Sequence, residues 1–164
     1  MKIRNATIAD ITAIDNIYNQ AVSLKFKTAD LMPLTKEKRK KWFEDHNDHY
    51  PVFVAEIDHK VVGYLAVSAY RPGRMALRET AEISYYIDSS YQRRGIGKQL
   101  IEHAEAKCAS LGLKTFIAII IDSNDASIEL LKKYNYEKWG HLPNVAVFED
   151  KEIGHVYYGK RIVL

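Results

Sequence analysis

The sequence predicts an α/β fold, because strand-like and helix-like segments alternate along its 164 residues. Residues 52–57 and 61–68 are apolar and rich in β-branched side chains, and Asp58-His59-Lys60 between them predicts a β-hairpin. Residues 115–121 are apolar on both faces of a strand, which is typical of a strand buried inside a sheet. Residues 98–111 instead repeat apolar side chains at helical spacing.

The amino-terminal segment predicts a short strand followed by a helix. Residues 2–6 form the strand, and Thr7, with Asp10 three residues later, matches a capping box that begins a helix. One face of this helix would carry Ile11, Ile14, Tyr18 and Val22. The other predicted elements are a helix capped by Thr35 that includes Trp42 and Phe43, a strand over residues 82–87, a helix over residues 125–134, and strands near residues 136–139 and 155–161.

Composition indicates one globular domain over residues 1–164, since 47% of the residues are hydrophobic and 27% are charged. The 24 basic and 21 acidic side chains nearly balance, so the charge gives no reason to expect nucleic acid or a membrane as a partner. The sequence has neither a signal peptide nor a membrane-length apolar run, which predicts a cytoplasmic protein.

The cysteine and the histidines predict neither a disulfide nor a metal site. Cys108 is the sole cysteine, and its place in the apolar rhythm of residues 98–111 predicts a buried helix residue rather than a nucleophile. His46 and His49 lie three residues apart, but they have no companion cysteine and no glutamate in an H-E-x-x-H frame. We therefore expect a solvated histidine pair and no bound metal.

The most informative segment is the turn Gln92-Arg93-Arg94-Gly95-Ile96-Gly97-Lys98, which joins a predicted strand to a predicted helix. Two glycines let the backbone approach an anion closely, and the amide groups at the start of a helix favour negative charge. Two nucleotide-binding patterns do not fit. Gln99 replaces the Ser or Thr of a Walker sequence, and Leu100 replaces the third glycine of the dinucleotide pattern. The turn by itself would equally suit an ordinary tight turn.

The turn resembles the Gln/Arg-x-x-Gly-x-Gly/Ala turn of the Gcn5-related N-acetyltransferase (GNAT) superfamily, in which it cradles the pyrophosphate of acetyl-coenzyme A (acetyl-CoA). Further segments are similar to the phosphinothricin and methionine sulfoximine acetyltransferase branch: Thr28-Ala29-Asp30, Pro33-Leu34-Thr35, Thr80-Ala81-Glu82-Ile83-Ser84-Tyr85-Tyr86-Ile87, Asn124-Asp125-Ala126-Ser127 and Tyr134-Asn135-Tyr136. The resemblance covers nearly the whole chain. It implies a single-domain α/β fold with a mixed, mostly antiparallel central sheet flanked by helices.

The resemblance also implies which residues bind acetyl-CoA. Backbone groups of Tyr85, Tyr86 and Ile87 would pair with the pantetheine arm as if it were an added strand, and one amide would polarise the thioester carbonyl. The two tyrosine rings would point to opposite faces, so at most one could face the substrate, and core packing is the alternative for both. A helix cap is the alternative for Asn124. The remaining implied cofactor contacts are Arg93, Arg94, Gly95, Ile96, Gly97, Lys98, Asn124 and Ser127.

Glu82 is the candidate general base. A glutamate in an otherwise apolar strand beside the cofactor turn is partly desolvated, which raises its pKa towards the range useful for taking a proton from an amine, directly or through a water. The alternative is a surface carboxylate at a strand end. Leu131 occupies the position at which many superfamily members carry a tyrosine that protonates the departing thiolate, so we expect that donor to be missing.

Arg74 and Arg78 are the candidate substrate-binding residues. The branch that the chain resembles tends to place an arginine and an aromatic residue in this loop, and a guanidinium group binds a carboxylate through two hydrogen bonds. Leu77 stands where the aromatic residue is usual, and His155 stands where the late strand commonly has aspartate. The alternative for both arginines is an exposed, charged loop.

Together these residues predict an acetyl-CoA-dependent N-acetyltransferase that acetylates the amine of a small amino acid or amino-acid analogue by direct transfer. The alternatives are acetylation of a polyamine or of a protein amino terminus, and, from a different class, a non-catalytic acyl-CoA sensor. Retention of Glu82 favours the enzyme over the sensor. The resemblance also implies a possible homodimer.

Overall fold

The structure is a computed structural model that describes residues 1–149 and 151–162, and one seven-stranded sheet in the order β1-β2-β3-β4-β5-β7-β6 organises them. The strands are β1 (Lys2–Asn5), β2 (Val52–Ile57), β3 (Lys60–Ala69), β4 (Thr80–Ile87), β5 (Thr115–Ile121), β6 (Glu137–Phe148) and β7 (Lys151–Arg161). The longer helices are α1 (Ile11–Ser23), α2 (Lys36–Glu44), α3 (Ile96–Lys107) and α4 (Asp125–Lys133). Every neighbouring pair is antiparallel except β4 with β5, which confirms the predicted mixed, mostly antiparallel α/β fold.

Helices cover both faces of the sheet, and each face has its own apolar core. Side chains of α1, such as Ile14, pack against one face around Tyr64 of β3. Side chains of α3 and α4, such as Leu100 and Leu131, pack against the other face. Burial on both faces explains why β3 and β5 are apolar almost throughout. Cys108 is buried in the second core, as predicted, but α3 ends at Lys107, so Cys108 directly follows the helix rather than lying within it.

The sheet opens between its two parallel strands. β4 and β5 pair only through residues 80–82 and 115–117. Beyond these residues β4 stays paired with β3 as far as Ile87, and β5 stays paired with β7 as far as Ile121. The two strands therefore separate towards their carboxyl ends, and the backbone of residues 83–87 forms one edge of the opening. Ligands of α/β proteins commonly bind at such an edge.

The last two strands are much longer than the sequence predicts. β6 continues to Phe148 and β7 begins at Lys151, whereas the pattern indicated only residues 136–139 and 155–161. β6 is an edge strand whose side chains are mostly exposed, and its register shifts twice, once across Pro143. Exposure and bulges remove the apolar alternation that identifies a strand, and a proline inside a run normally argues against one.

Local capping signals are confirmed at two helices. The Thr7 amide donates to the Asp10 carboxylate at 2.7 Å, so the predicted capping box is present, although a short 3-10 turn precedes α1. Thr35 accepts a hydrogen bond from the Lys38 amide at 3.3 Å at the start of α2. None of the helices among the described residues is long and apolar enough to cross a bilayer.

Candidate active site

Two cavities adjoin at the opening between β4 and β5. The Glu82 cavity has a volume of about 320 Å³, and its lining includes Lys27, Thr28, Glu82, Ser84, His155 and Tyr157. The turn cavity has a volume of about 360 Å³, and its lining includes the turn residues Gln92, Arg93, Gly95, Ile96, Gly97 and Lys98. Five of the described residues line both cavities: Lys27, Tyr85, Tyr86, Asn124 and Ser127. We call these five residues the junction.

One wall of the turn cavity is formed by the turn that begins α3. Gly95, the residue before α3, has φ = +78°, and Arg93 has φ = +60°, a left-handed conformation that is strained for a residue with a side chain. The Gln99 amide donates to the Gly95 carbonyl at 3.2 Å, which is the first bond of the helix. The amides of residues 96–98 precede that bond, so they lie at the positive end of α3, where a phosphate is stabilised.

The basic side chains of the turn differ in where they lie. Arg93 and Lys98 line the turn cavity. Arg94 does not line either cavity; it stacks on Tyr91, with its guanidinium carbon 4.9 Å from the ring centroid. Lys98 also lies 3.8 Å from Glu102 on the next helical turn, an exposed pair of little energetic weight.

Glu82 occupies the last paired position before β4 and β5 separate. It lies opposite Ile117 of β5 and Ser68 of β3. The carboxylate is partly buried, and this burial raises the pKa of Glu82 above its usual value. A carboxylate with a raised pKa at the wall of a cavity is suited to accept a proton from an ammonium group.

His46 lies near this position and differs from its predicted state. Its Nε2 is 3.1 Å from the Ser68 hydroxyl and its Nδ1 is 2.7 Å from the Trp42 carbonyl, so it is partly buried and hydrogen-bonded rather than solvated. Burial lowers the pKa of His46, which favours the neutral ring. Across residues 1–149 and 151–162, no three His, Cys, Asp or Glu side chains group as a metal site requires.

The rings of Tyr85 and Tyr86 lie on opposite faces of β4, as alternation predicts. Tyr85 packs against the core under α3 and α4, where burial raises its pKa to about 12, and its hydroxyl donates to the Ser127 carbonyl at 3.4 Å. Tyr86 packs edge-on against Tyr18 of α1, with ring centroids 4.9 Å apart. Both rings therefore pack in the cores, and both residues also belong to the junction. Leu131 is fully buried in the core under α3 and α4.

Asn124 and Lys27 meet at the junction. The Asn124 side-chain oxygen accepts a hydrogen bond from the Lys27 ammonium at 3.1 Å, rather than from an amide of α4. The Asn124 side chain is thus directed into the site, and its backbone carbonyl accepts from the Ser127 amide at 3.1 Å. Sequence reasoning did not assign Lys27 to the site, because a single lysine in a loop gives no pattern to identify it.

His155 and Tyr157 also line the Glu82 cavity without having been assigned to the site. They lie on β7 opposite Ile121 and Ile119 of β5. Their spacing of two residues places both on one face of the strand. That spacing is visible in the sequence, but the pairing of β7 with β5 is a non-local contact that no local pattern specifies.

The structure places Arg74 and Arg78 outside both cavities. Arg74 lines a separate cavity of about 560 Å³ on the loop between β3 and β4. The Arg78 guanidinium donates to the Met75 carbonyl at 3.0 Å and lies 3.8 Å from Glu79. These two arginines are therefore not in contact with the Glu82 cavity, although β4, which follows their loop, begins only two residues before Glu82.

Comparison with known proteins agrees with this geometry. Residues 13–136 match the family model described as "Acetyltransferase (GNAT) family". The chain is 32% identical over 145 residues to the L-methionine sulfoximine/L-methionine sulfone acetyltransferase of Pseudomonas aeruginosa, covering 87% of this chain and 84% of that protein. It is 30% identical over 145 residues to the phosphinothricin N-acetyltransferase of Streptomyces viridochromogenes, covering 87% and 77%.

A solved structure gives the same family. The crystal structure of a GNAT superfamily phosphinothricin acetyltransferase from Sinorhizobium meliloti in complex with acetyl-CoA superposes with a TM-score of 0.92 at 26% identity, covering 99% of this chain and 88% of that chain. The family model, the relatives and the fold therefore agree with one another. The chain belongs to the acetyltransferase (GNAT) family.

Proposed function

We propose that the protein transfers the acetyl group of acetyl-CoA to the amine of a small amino acid or amino-acid analogue, of the phosphinothricin or methionine sulfoximine type. The single observation that carries this conclusion is that a cavity lined by the glycine turn at the start of α3 adjoins a cavity with a partly buried carboxylate. The names of the relatives support the substrate class. We further propose that residues 1–164 act as one domain in the cytoplasm.

The turn cavity fits acetyl-CoA. Its amides at residues 96–98, with Arg93 and Lys98, would hold the pyrophosphate, and Arg94 would add charge beside them. The backbone edge of residues 85–87 would bind the pantetheine arm as an added strand in the opening of the sheet. Asn124 and Ser127 stand at the junction, where this arm would pass. When bound, the thioester supplies an activated acetyl group.

Glu82 would act as the general base. It would take the proton of the substrate ammonium, directly or through a water, while an amide of β4 polarises the acetyl carbonyl. Because the two cavities adjoin, the amine and the acetyl group can meet without a covalent acetyl-enzyme. Holding both reactants in this way can lower the barrier by roughly 7–11 kcal/mol.

Arg74 and Arg78, in the loop that precedes β4, are proposed to bind the substrate carboxylate, although neither of them lines the Glu82 cavity. Arg74→Ala and Arg78→Ala should each raise KM for amino acids about tenfold or more, because a charge-assisted hydrogen bond contributes roughly 1.5–3 kcal/mol. The decarboxylated amines should keep their KM, and lysine should restore only part of the loss. Arg71→Ala in the same loop is the matched control. Equal effects on amino acids and decarboxylated amines would remove both arginines from the substrate site.

A homodimer is also proposed, and β6 supports it. This long edge strand exposes several large apolar side chains, with Trp139 49% and Val145 54% exposed. An exposed edge strand offers unpaired backbone groups to another chain, and exposed apolar patches can mark protein interaction sites. Sedimentation equilibrium should give twice the chain mass of 18.9 kDa, and Val145→Lys should shift the protein towards the monomer. A wild-type protein that sediments as a monomer at high concentration would refute the dimer.

A thiol-release assay across amine classes tests the proposed function. The purified protein receives acetyl-CoA with amino acids, methionine sulfoximine, phosphinothricin, spermidine or short peptides, and release of coenzyme A is measured. We expect the highest kcat/KM with an amino acid or one of its analogues. A preference for spermidine or for peptide amino termini would support those alternatives instead. Binding of acetyl-CoA with no thiol release for any amine would indicate an acyl-CoA sensor.

A further inference from the structure

Lys27 lies at the junction, and the proposed acetyl transfer assigns it no role. Of the five described residues that line both cavities, Lys27 is the one that carries a formal charge. Its ammonium donates to the side-chain oxygen of Asn124 at 3.1 Å, and Asn124 is only 7% exposed. A positive charge is therefore held beside a buried amide at the point where the two cavities meet.

The segment that carries Lys27 is fixed against α1. Thr28 is buried, and its hydroxyl lies 2.7 Å from the hydroxyl of Tyr18. Tyr18 also donates to the Asp30 carboxylate, and the Asp30 amide lies 3.3 Å from the Thr28 hydroxyl. These bonds hold the backbone on the carboxyl side of Lys27 and so limit where its ammonium can reach.

Direct acetyl transfer creates a negative charge near this position, and this step rests on the proposed function. The amine nitrogen forms a bond to the carbonyl carbon, the carbon–sulfur bond breaks, and its electron pair stays on sulfur as a thiolate. The acetyl carbon must face the Glu82 cavity while the phosphates occupy the turn cavity. The sulfur then lies near the junction. Leu131, the position at which we expected the proton donor to be missing, is buried in a core.

We propose that Lys27 binds the departing thiolate of coenzyme A. The Lys27 ammonium has three N–H groups, so it can keep its hydrogen bond to Asn124 and donate another to the sulfur. Its positive charge offsets the negative charge that develops on the sulfur. Lys27 keeps its proton throughout. The substrate nitrogen loses two protons, one from the ammonium before the attack and one as the amide forms; each passes to Glu82 and then to solvent, and the thiolate takes a proton from water after release.

Bound coenzyme A should therefore have a more acidic thiol than free coenzyme A. An opposite charge within about 4–6 Å lowers the pKa of an acid by roughly 1–3 units, from about 8.5 for an ordinary thiol. The other titratable groups near the junction are Tyr85 and Tyr86 of β4, Glu82 and the β7 residues His155 and Tyr157. An ionised Glu82 would shift the thiol pKa in the opposite direction.

The turn contributes the remaining nearby cations. Arg93 and Lys98 face the turn cavity and would act mainly on the phosphates, with Tyr91 also in that lining. Because these cations could also lower the pKa of the thiol, the effect of Lys27 on that pKa is measured by substituting Lys27 alone. Lys25 is the matched control, since it is two residues away, 57% exposed and paired with Glu149 at 2.6 Å.

The test measures the thiol pKa of coenzyme A bound to the wild type and to Lys27→Met, Lys27→Arg and Lys25→Met. The near-ultraviolet absorbance of the thiolate is titrated against pH, with desulfo-coenzyme A as the blank, and calorimetry establishes occupancy at each pH. We expect the pKa to be lowered by about one unit or more in the wild type and in Lys25→Met. It should rise in Lys27→Met and stay low in Lys27→Arg.

The outcomes separate this inference from the proposed function. If coenzyme A binds but its thiol pKa is the same in wild type and Lys27→Met, the role of Lys27 is refuted while the cofactor site stands. A change in the KM for the amine with no change in thiol pKa would likewise refute it and place Lys27 on the substrate. If the wild type fails to bind coenzyme A, both the proposed function and the role of Lys27 fail.

Discussion

Replacing Glu82 with glutamine should lower kcat by about a hundredfold or more while leaving the affinity for acetyl-CoA unchanged, because a positioned general base typically contributes 10²–10⁴-fold. Glutamine keeps the size of the side chain but cannot accept a proton near neutral pH. The measurement is coenzyme A release with methionine sulfoximine as acceptor, with calorimetry to confirm cofactor binding. Glu79→Gln is the control, since Glu79 is three residues away and pairs with Lys114 at 2.8 Å.

The pH dependence gives a second readout of the same substitution. Activity should fall on the acid side as Glu82 becomes protonated, and because burial raises its pKa, this limb should lie above the ordinary value of 4.5. The limb due to Glu82 should disappear in Glu82→Gln. The raised pKa also means that the folded state favours the protonated Glu82 carboxyl. The free energy of unfolding therefore falls as pH rises from the unfolded pKa through the folded pKa of Glu82. Glu82→Gln should accordingly be no less stable than the wild type at neutral pH. Near-wild-type turnover in the variant would return Glu82 to a structural role.

Gly97→Asp should abolish stabilisation by acetyl-CoA. A Cβ at Gly97 would lie 3.0 Å from Leu130 Cδ2, and the carboxylate would place negative charge at the wall that binds phosphate. Thermal unfolding measures the effect, since a ligand at about 100-fold its Kd stabilises a protein by about 2.7 kcal/mol. The wild type should therefore melt several degrees higher with acetyl-CoA, and the variant should not.

A second substitution at Gly97 separates the steric effect of an added side chain from the effect of its negative charge. Gly97→Ala adds the Cβ without the carboxylate, so it should keep part of the stabilisation by acetyl-CoA. The unliganded Asp variant should still fold, because a carboxylate near a helix amino terminus is favourable. If acetyl-CoA stabilises the wild type and Gly97→Asp equally, the turn does not bind the phosphates.

Local signals in the sequence predicted much of the fold. The β2–β3 hairpin was predicted over residues 52–57 and 61–68, and its strands span Val52–Ile57 and Lys60–Ala69. The Thr35 cap and the buried strand β5 are also confirmed. These features depend on residues that are close in sequence, such as a capping hydroxyl or an apolar run, so a single sequence contains the physical information for them.

Contacts between distant segments limited the prediction of the site. The turn and Glu82 could be proposed as site residues because a glycine pattern and a carboxylate in an apolar strand are visible locally. Lys27 reaches Asn124 across 97 residues, and His155 enters the same cavity only because β7 pairs with β5. The full length of β6 was not predicted for a related reason. The side chains of this edge strand are mostly exposed and show no apolar alternation, so the strand is defined by its pairing with β7.

The most direct measurement of the proposed function is the stoichiometry of one reaction. The protein, acetyl-CoA and methionine sulfoximine are incubated together, released coenzyme A is counted as free thiol, and the acetylated amine is identified and counted by mass spectrometry. Acetyl transfer to the amine predicts equal amounts of the two products in the wild type and a much lower rate in Glu82→Gln. Thiol release without an N-acetylated product, for this acceptor and for every other amino acid or analogue, would contradict it.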